Sequence, residues 1–176
     1  GLFAAGCNCR GQTVGTSYGD LGVVWKDGTG VELVNRDATY DFGTAFAGEK
    51  VPKKMIIRNS GKGPLALTSL EVIEGASTTI GADVKSDAIF SVNFEPDAEV
   101  PSTAELELDM SFTPRGGKDY FVKLKLTVSG AKEGEETATI LLKGKGEGGG
   151  CATPTEIDFG PVPVGGVGSG RTGRAC

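Results

Sequence analysis

The strongest constraint in this sequence is a strict alternation of apolar and polar residues in two long segments. In the first segment, Leu106, Leu108, Met110 and Phe112 alternate with Glu105, Glu107, Asp109 and Ser111. In the second segment, Tyr120, Val122, Leu124, Leu126 and Val128 alternate with Lys123, Lys125 and Thr127. Successive side chains of a β-strand point to opposite faces of the sheet. Each segment therefore predicts a strand with one buried face and one solvated face.

Shorter alternations of the same kind recur along the chain. They include Met55 to Asn59, Leu65 to Val72, Phe90 to Phe94 and Ala138 to Leu142, with glycine-rich or acidic turns between them. Residues 71–86 come nearest to a helical pattern, but glycine and threonine interrupt it. About seven strands with regularly spaced turns are typical of an immunoglobulin-like sandwich. The sequence predicts an all-β fold, an antiparallel sandwich of about seven strands with extended glycine-rich tails.

The predicted domain organisation has three parts. They are an N-terminal tail with a short hairpin (1–35), the β-sandwich (36–147), and a glycine-rich segment (148–176) that holds a lone strand or the start of a second repeat. The hairpin joins two apolar runs through Asp27-Gly28, a dipeptide that favours tight turns. Trp25, the only tryptophan, is expected to cover one edge of the sandwich.

Composition excludes several classes of function. The net charge of −5 and the pI of about 4.9 argue against binding to nucleic acid, which needs a basic face. The chain has no histidine, so catalytic triads and metal sites that depend on imidazole are excluded. Two lysine groups, 50–54 and 143–145, are interpreted as solvated strand edges. Glycines 168–173 match a dinucleotide-binding pattern, but no helix can follow within the three remaining residues, so no cofactor is predicted.

The carboxylates of Glu105, Glu107 and Asp109 are the strongest candidates for a catalytic or metal site. Strand alternation, however, places all three on the solvated face, and no second carboxylate cluster is identifiable to oppose them. We therefore predict a protein that is not an enzyme.

A set of short motifs in a fixed order carries a family resemblance. In chain order, the motifs are Asp41-Phe42-Gly43 with Gly48, Ile57-Arg58-Asn59-Ser60-Gly61, Pro64-Leu65-Ala66-Leu67, Phe90-Ser91-Val92, Phe112-Thr113-Pro114 and Leu142-Lys143-Gly144-Lys145-Gly146. This order resembles the ASH-type (ASPM–Hydin-like) immunoglobulin-like domains, called choice-of-anchor D domains in bacterial surface proteins. The resemblance covers residues 36–147. It implies a seven-stranded scaffold, spacer or interaction module, often in tandem, and it supplies no catalytic residues.

An internal repeat supports tandem organisation. Ile157-Asp158-Phe159-Gly160 with Gly165 repeats Tyr40-Asp41-Phe42-Gly43 with Gly48. The repeat either begins a second sandwich or forms a lone strand, which needs the edge of its own sheet or of a neighbouring subunit. The candidate strand-docking residues are Ile157, Phe159, Val162 and Val164.

All four cysteines lie in the tails, outside the predicted sandwich. Cys7, Cys9, Cys151 and Cys176 are disulfide candidates in an oxidising compartment, and the sequence leaves their pairing open. Residues 2–7 resemble the end of a bacterial lipoprotein signal, which makes Cys7 a candidate for lipid attachment, although Ala4 stands where that signal usually has leucine. No apolar run is long enough for a membrane-spanning helix.

Three functional hypotheses follow from these observations. The first is a non-catalytic module of the bacterial cell surface or extracellular space, a spacer, adhesin part or envelope scaffold, with a protein or copies of itself as partner. The second is a filament or assembly subunit whose 152–164 strand completes a neighbour's sheet, giving a homo-oligomer. The third is a periplasmic enzyme whose catalytic domain lies outside this sequence.

Overall fold

The computed structural model describes residues 16–26, 29–83 and 85–148. Its strands are β1 (Leu21–Lys26), β2 (Glu32–Asn35), β3 (Asp37–Phe46), β4 (Val51–Asn59), β5 (Leu65–Gly75), β6 (Thr78–Ile80), β7 (Phe90–Val92), β8 (Glu99–Val100), β9 (Glu105–Phe112), β10 (Asp119–Ser129) and β11 (Thr137–Glu147). No helix occurs in these ranges. The weak helical pattern of residues 71–86 therefore corresponds to the end of β5 and all of β6.

The strands form two packed sheets, which confirms the predicted all-β sandwich. One sheet has the order β2-β1-β4-β9-β7-β6, and the other has the order β3-β11-β10-β5-β8. Two features differ from the sequence-based expectation. Eleven strands rather than about seven occur in the described residues, because short strands flank the long ones. The pairs β3–β11 and β6–β7 are parallel, so the sandwich is not purely antiparallel.

The core is built from the alternation that the sequence displays. Every second residue of β10, from Tyr120 to Val128, is buried between the sheets, and β11 contributes Ala138, Ile140 and Leu142. At one end of the core, four aromatic rings form a cluster. Its members are Phe42, Phe90, Phe112 and Tyr120, with neighbouring ring centroids 5.1–5.9 Å apart. Aromatic pairs at this spacing gain about 0.5–1.5 kcal/mol beyond the area that they bury.

The predicted hairpin forms, and it is part of the sandwich. β1 pairs antiparallel with β2 on one side and with β4 on the other. Leu21 and Val23 of β1 lie in the hydrophobic core at 3% and 0% exposure. The sandwich therefore includes β1, ahead of the boundary that the sequence analysis placed at residue 36.

Asn59 joins three segments at the end of β4. Its carbonyl oxygen accepts hydrogen bonds from the backbone N–H groups of Asp20 and Gly61, each 3.0 Å long. Its amide nitrogen donates to the backbone oxygens of Gly63, Val100 and Pro101. The side chain is fully buried, and its bonds to Gly63 and Val100 are shielded from water. The Arg-Asn-Ser-Gly sequence of the family motif thus fixes the β4–β5 turn against the chain before β1.

Candidate functional site

A cleft opens where β1 and β4 separate. Their antiparallel pairing runs from Leu21 opposite Asn59 to Val24 opposite Ile56 and then stops. Beyond that point β1 continues with β2 and β4 continues with β9, so within the described residues no strand pairs with residues 51–55 on the β1 side. We name this space the Trp25 cleft. Its volume is about 630 Å³, and its lining includes Val24, Trp25, Lys26, Glu32, Tyr40, Asp41, Lys53, Lys54, Ile56 and Lys143.

Tyr40 of β3 closes the inner end of the cleft. Its hydroxyl donates a 2.5 Å hydrogen bond to the carbonyl of Val24 and accepts one of 3.4 Å from the N–H of Ile56. The phenol therefore bridges β1 and β4 at the last residue pair before they separate. Burial raises the pKa of Tyr40 to about 12, and the Ile56 N–H offsets part of that effect.

This geometry predicts an alkaline stability difference between the wild type and Tyr40→Phe. Tyr40 contributes stability in full below its unfolded pKa of about 10, and loses that contribution as pH rises through the folded value near 12. We expect Tyr40→Phe to cost about 1–2 kcal/mol near pH 8, because the Val24 carbonyl loses its donor. The deficit should shrink between about pH 10 and 12 in urea denaturation curves. A deficit that stays constant over this range would contradict the assignment.

Trp25 forms one wall of the cleft. The side chain is half-buried and packs against the core, in agreement with the expectation that it covers an edge of the sandwich. Its indole N–H is buried and has no hydrogen-bond partner among the described residues. A buried donor without an acceptor costs about 1–3 kcal/mol, so the unpaired indole N–H of Trp25 lowers the stability of this wall.

The cleft is locally cationic although the chain as a whole is acidic. Four lysines and two carboxylates line it. Lys143 pairs with Asp41 at 3.2 Å, whereas Glu32 pairs with Arg58 at 2.9 Å and Lys54 pairs with Glu107. Lys53 donates to the backbone carbonyl of Asp41, lies 5.7 Å from the centre of the Phe42 ring, and interacts with the charge of the Asp41 carboxylate, which Lys143 also contacts.

The Asp-Phe-Gly motif shapes the β3 wall of the cleft. Asp41 lies opposite Lys143 and Thr44 lies opposite Lys145, so β3 holds one more residue than β11 between these pairs and forms a bulge. Gly43 takes a positive φ of 72° within the bulge, a conformation that favours glycine. The Asp41 carboxylate accepts a 2.8 Å hydrogen bond from the Gly43 N–H. This bond and then the adjacent Lys143 hold the pKa of Asp41 below its usual range.

The lowered pKa predicts an acid-dependent effect of Asp41→Asn. A carboxylate with a depressed folded pKa contributes stability above its unfolded pKa, and that contribution disappears as pH falls through the folded value. Asparagine keeps an acceptor for Gly43 but has no charge for Lys143. We expect the variant to be less stable at pH 7 by under about 1 kcal/mol, since solvent screens this exposed site. The difference should shrink in thermal or urea unfolding as pH falls below about 3.9, the ordinary aspartate pKa; a difference that grows on acidification would contradict it.

Of the three outward carboxylates of β9, Glu105 and Glu107 form ion pairs with neighbouring strands. Glu105 pairs with Arg58 at 2.5 Å, and Arg58 also bonds Glu32, so one guanidinium joins β9, β4 and β2. Glu107 pairs with Lys54 of β4. Asp109 faces a shallower depression of about 520 Å³ on the outer face of the sheet, near the hydrogen-bonded pair Ser91 and Ser111. The predicted solvated position of Glu105 and Glu107 agrees with their exposure.

The other sequence-predicted site residues lie outside the described residues. These are the disulfide candidates Cys7, Cys9, Cys151 and Cys176, the lipid-attachment candidate Cys7, and the docking residues Ile157, Phe159, Val162 and Val164. They remain predictions. In the described part of the chain, no group of three or more metal-ligating side chains could hold a metal ion. The same ranges contain no helix with the length and apolar character needed to cross a membrane.

Sequence reasoning missed the cleft although it identified most of its residues separately. Lys53, Lys54 and Lys143 were interpreted as solvated strand edges, and Trp25 as an edge cover. Lys53 is two residues before Met55 and four before Ile57, and both of these point inward from β4. Strand alternation alone therefore places Lys53 toward the space between the sheets. The point where β1 leaves β4 has no signature in the local sequence.

Comparison with known proteins shows the fold. No protein-family model and no curated protein matches this chain. Among solved structures, the chain is similar to the ASH/PapD-like domain 7 of human CEP192, with a TM-score of 0.52 and 17% identity, over 83% of this chain and 97% of that domain. This likeness confirms, at the level of fold, the predicted resemblance to ASH-type immunoglobulin-like domains.

Two bacterial structures are similar at lower scores. One is a protein of unknown function from Porphyromonas gingivalis W83, with a TM-score of 0.48 and 14% identity over 74% of this chain. The other is the secreted serine protease VesC from Vibrio cholerae, with a TM-score of 0.41 and 17% identity over 60% of this chain. This chain spans 48% and 21% of those two structures, respectively.

Proposed function

We propose that this chain is a non-catalytic structural or binding module of a bacterial surface or extracellular protein. The observation that carries the proposal is the fold: the chain matches an ASH/PapD-like domain over nearly the whole length of that domain. Function has to be argued from a site and not from a fold alone. The site that the described residues offer is a cationic, partly apolar cleft beside an unpaired strand segment, which suits binding to another chain.

The ion pairs of the β9 carboxylates support a module without catalytic activity. Glu105 and Glu107 are engaged with Arg58 and Lys54 on an exposed face. Ion pairs of this kind each contribute little to stability, but together they fix the order of neighbouring strands. A spacer, adhesin part or envelope scaffold of the choice-of-anchor D type needs such a stable sandwich and no reacting group.

The proposed location is tested by labelling intact cells that express the chain naturally. A membrane-impermeant amine reagent should modify the exposed lysines, among them Lys62 and Lys132, to the same extent in intact cells as after lysis. A cytoplasmic protein labelled in the same sample is the control. Modification that occurs only after lysis would contradict an extracellular or surface location.

A second candidate role is that of an assembly subunit that donates its 152–164 strand to a neighbour. Two observations favour it: the Asp-Phe-Gly sequence recurs at residues 158–160, and β4 has an unpaired segment where a strand can add. Sedimentation velocity of the purified chain separates the two roles. Polymers that grow with concentration support assembly, and a monomer at all concentrations contradicts it.

A further inference from the structure

We infer that the Trp25 cleft binds an extended peptide that alternates acidic and apolar side chains, and that its occupant is the segment 155–160 of the same chain. The inference rests on the proposed presence of a docking strand in the C-terminal segment. It does not depend on the proposed surface location, and it differs from the assembly role because the strand stays within its own molecule.

The backbone of β4 is open to a further strand at its N-terminal end. Residues 51–55 have β9 on one side and no strand on the other side within the described part of the chain. An unpaired strand segment presents backbone donors and acceptors that another strand can bind. Pro52 supplies only a carbonyl, and Lys53 and Lys54 follow it. Lysine at such an edge disfavours pairing with neutral or basic strands, and it favours an acidic one.

The charge and the apolar side chains of the C-terminal segment complement those of the cleft. Residues 155–160 read Thr-Glu-Ile-Asp-Phe-Gly. In an extended strand, Glu156 and Asp158 share one face, and Ile157 and Phe159 share the other. The lysines of the cleft supply an excess of positive charge, and the half-buried indole of Trp25 supplies an apolar surface.

The C-terminal segment is long enough to reach the cleft. β11 ends at Glu147, whose carbonyl accepts a 2.9 Å hydrogen bond from the Ala47 N–H. The chain therefore leaves the sandwich beside the β3–β4 turn, close to Val51 where β4 begins. The eight residues 149–156 can span about 26–29 Å when extended, and the unpaired segment of β4 is about 17 Å long. A tethered strand also meets its site at an effective concentration of the order of 1 mM, well above that of a second copy in dilute solution.

Trp25 provides the test because it is the only tryptophan and lines the cleft. We would measure acrylamide quenching of its fluorescence in the full chain and in Glu156→Lys/Asp158→Lys. Loss of the occupant should raise the quenching constant about twofold, since the indole edge gains solvent contact. The matched control is Glu95→Lys/Glu133→Lys, which changes the net charge equally at exposed turns and should leave quenching unchanged.

Charge reversal on both sides makes the test specific. Lys53→Glu/Lys54→Glu should also raise quenching, and combining it with Glu156→Lys/Asp158→Lys should restore the wild-type value. Circular dichroism confirms that each variant is folded. Identical quenching in the wild type and Glu156→Lys/Asp158→Lys would overturn the inference. So would a concentration-dependent dimer that the same substitutions abolish, because the occupant would then be a second copy. Neither result bears on the surface labelling that tests the proposed location.

Discussion

Replacing Phe112 with alanine is expected to lower the free energy of unfolding by about 3–5 kcal/mol. The ring is fully buried and contacts the rings of Phe42 and Phe90, with centroids 5.7 and 5.1 Å away. A Cβ placed on Gly144 would lie 2.7 Å from the Phe112 ring, so the sheets meet closely at this point. Alanine would leave a cavity that the surrounding strands cannot close, and small domains have only about 5–15 kcal/mol of stability in total.

The matched control for this experiment is Phe121→Ala. Phe121 belongs to β10 but is 49% exposed, so the substitution removes the same number of atoms from a largely solvated position. Urea denaturation of both variants should give a loss for Phe112→Ala at least 2 kcal/mol greater, as an order of magnitude. Equal losses would mean that the aromatic cluster is not a tightly packed part of the core.

Replacing Asn59 with leucine is the second substitution with a large expected effect. Five hydrogen bonds to backbone groups would be lost, and the N–H groups of Asp20 and Gly61 would remain without this acceptor. Each buried group left unsatisfied costs about 1–3 kcal/mol, so we expect a total loss of about 3–5 kcal/mol. Leucine has the same number of side-chain heavy atoms as asparagine, but its methyl groups are larger than the amide atoms that they replace, so overpacking adds to the loss.

Two further variants make the Asn59 result interpretable. Asn59→Asp keeps the shape and the acceptor but removes the donor to Gly63 and Val100, and it should also destabilise the fold strongly. Asn93→Leu is the exposed control and should change the free energy of unfolding by less than about 0.5 kcal/mol. If Asn59→Leu unfolds at the same urea concentration as Asn93→Leu, the proposed role of Asn59 is wrong.

The parts of the fold that depend on local pattern could be predicted from the sequence. The alternation in β9 and β10 identifies the inward residues correctly, because a strand with one wet face has a simple period of two. The pattern fails where a neighbour changes the environment. Val72 continues the apolar run of β5, yet it is 44% exposed next to a register shift opposite Lys123 and Leu124.

Long-range pairing could not be predicted in this way. The parallel alignment of β3 with β11 joins residues about a hundred positions apart, and no local rule fixes such a pair. The Trp25 cleft depends on the same kind of information, since it exists because β1 leaves β4 after Val24. Ser91 and Ser111 are polar residues in the outward phase of their strands, yet both are buried and bond each other at 2.6 Å.

The structure gives a physical reason for the Asp-Phe-Gly motif of β3. In β3 the motif makes a bulge, in which Gly43 supplies the positive φ and Asp41 binds its N–H. The second copy at Asp158, Phe159 and Gly160 has the same three residues. At Gly43 the positive φ favours glycine, and the short acceptor two residues earlier binds its N–H.

The claim that the sandwich is a non-catalytic module is tested most directly in cells. The native chain would carry Glu105→Gln, Glu107→Gln and Asp109→Asn together and would be compared with a deletion strain and with the wild type. Because Glu105 and Glu107 make exposed ion pairs and Asp109 is exposed, we predict a folded protein that restores the wild-type phenotype fully. A folded, normally expressed triple variant that reproduces the deletion phenotype would contradict the claim.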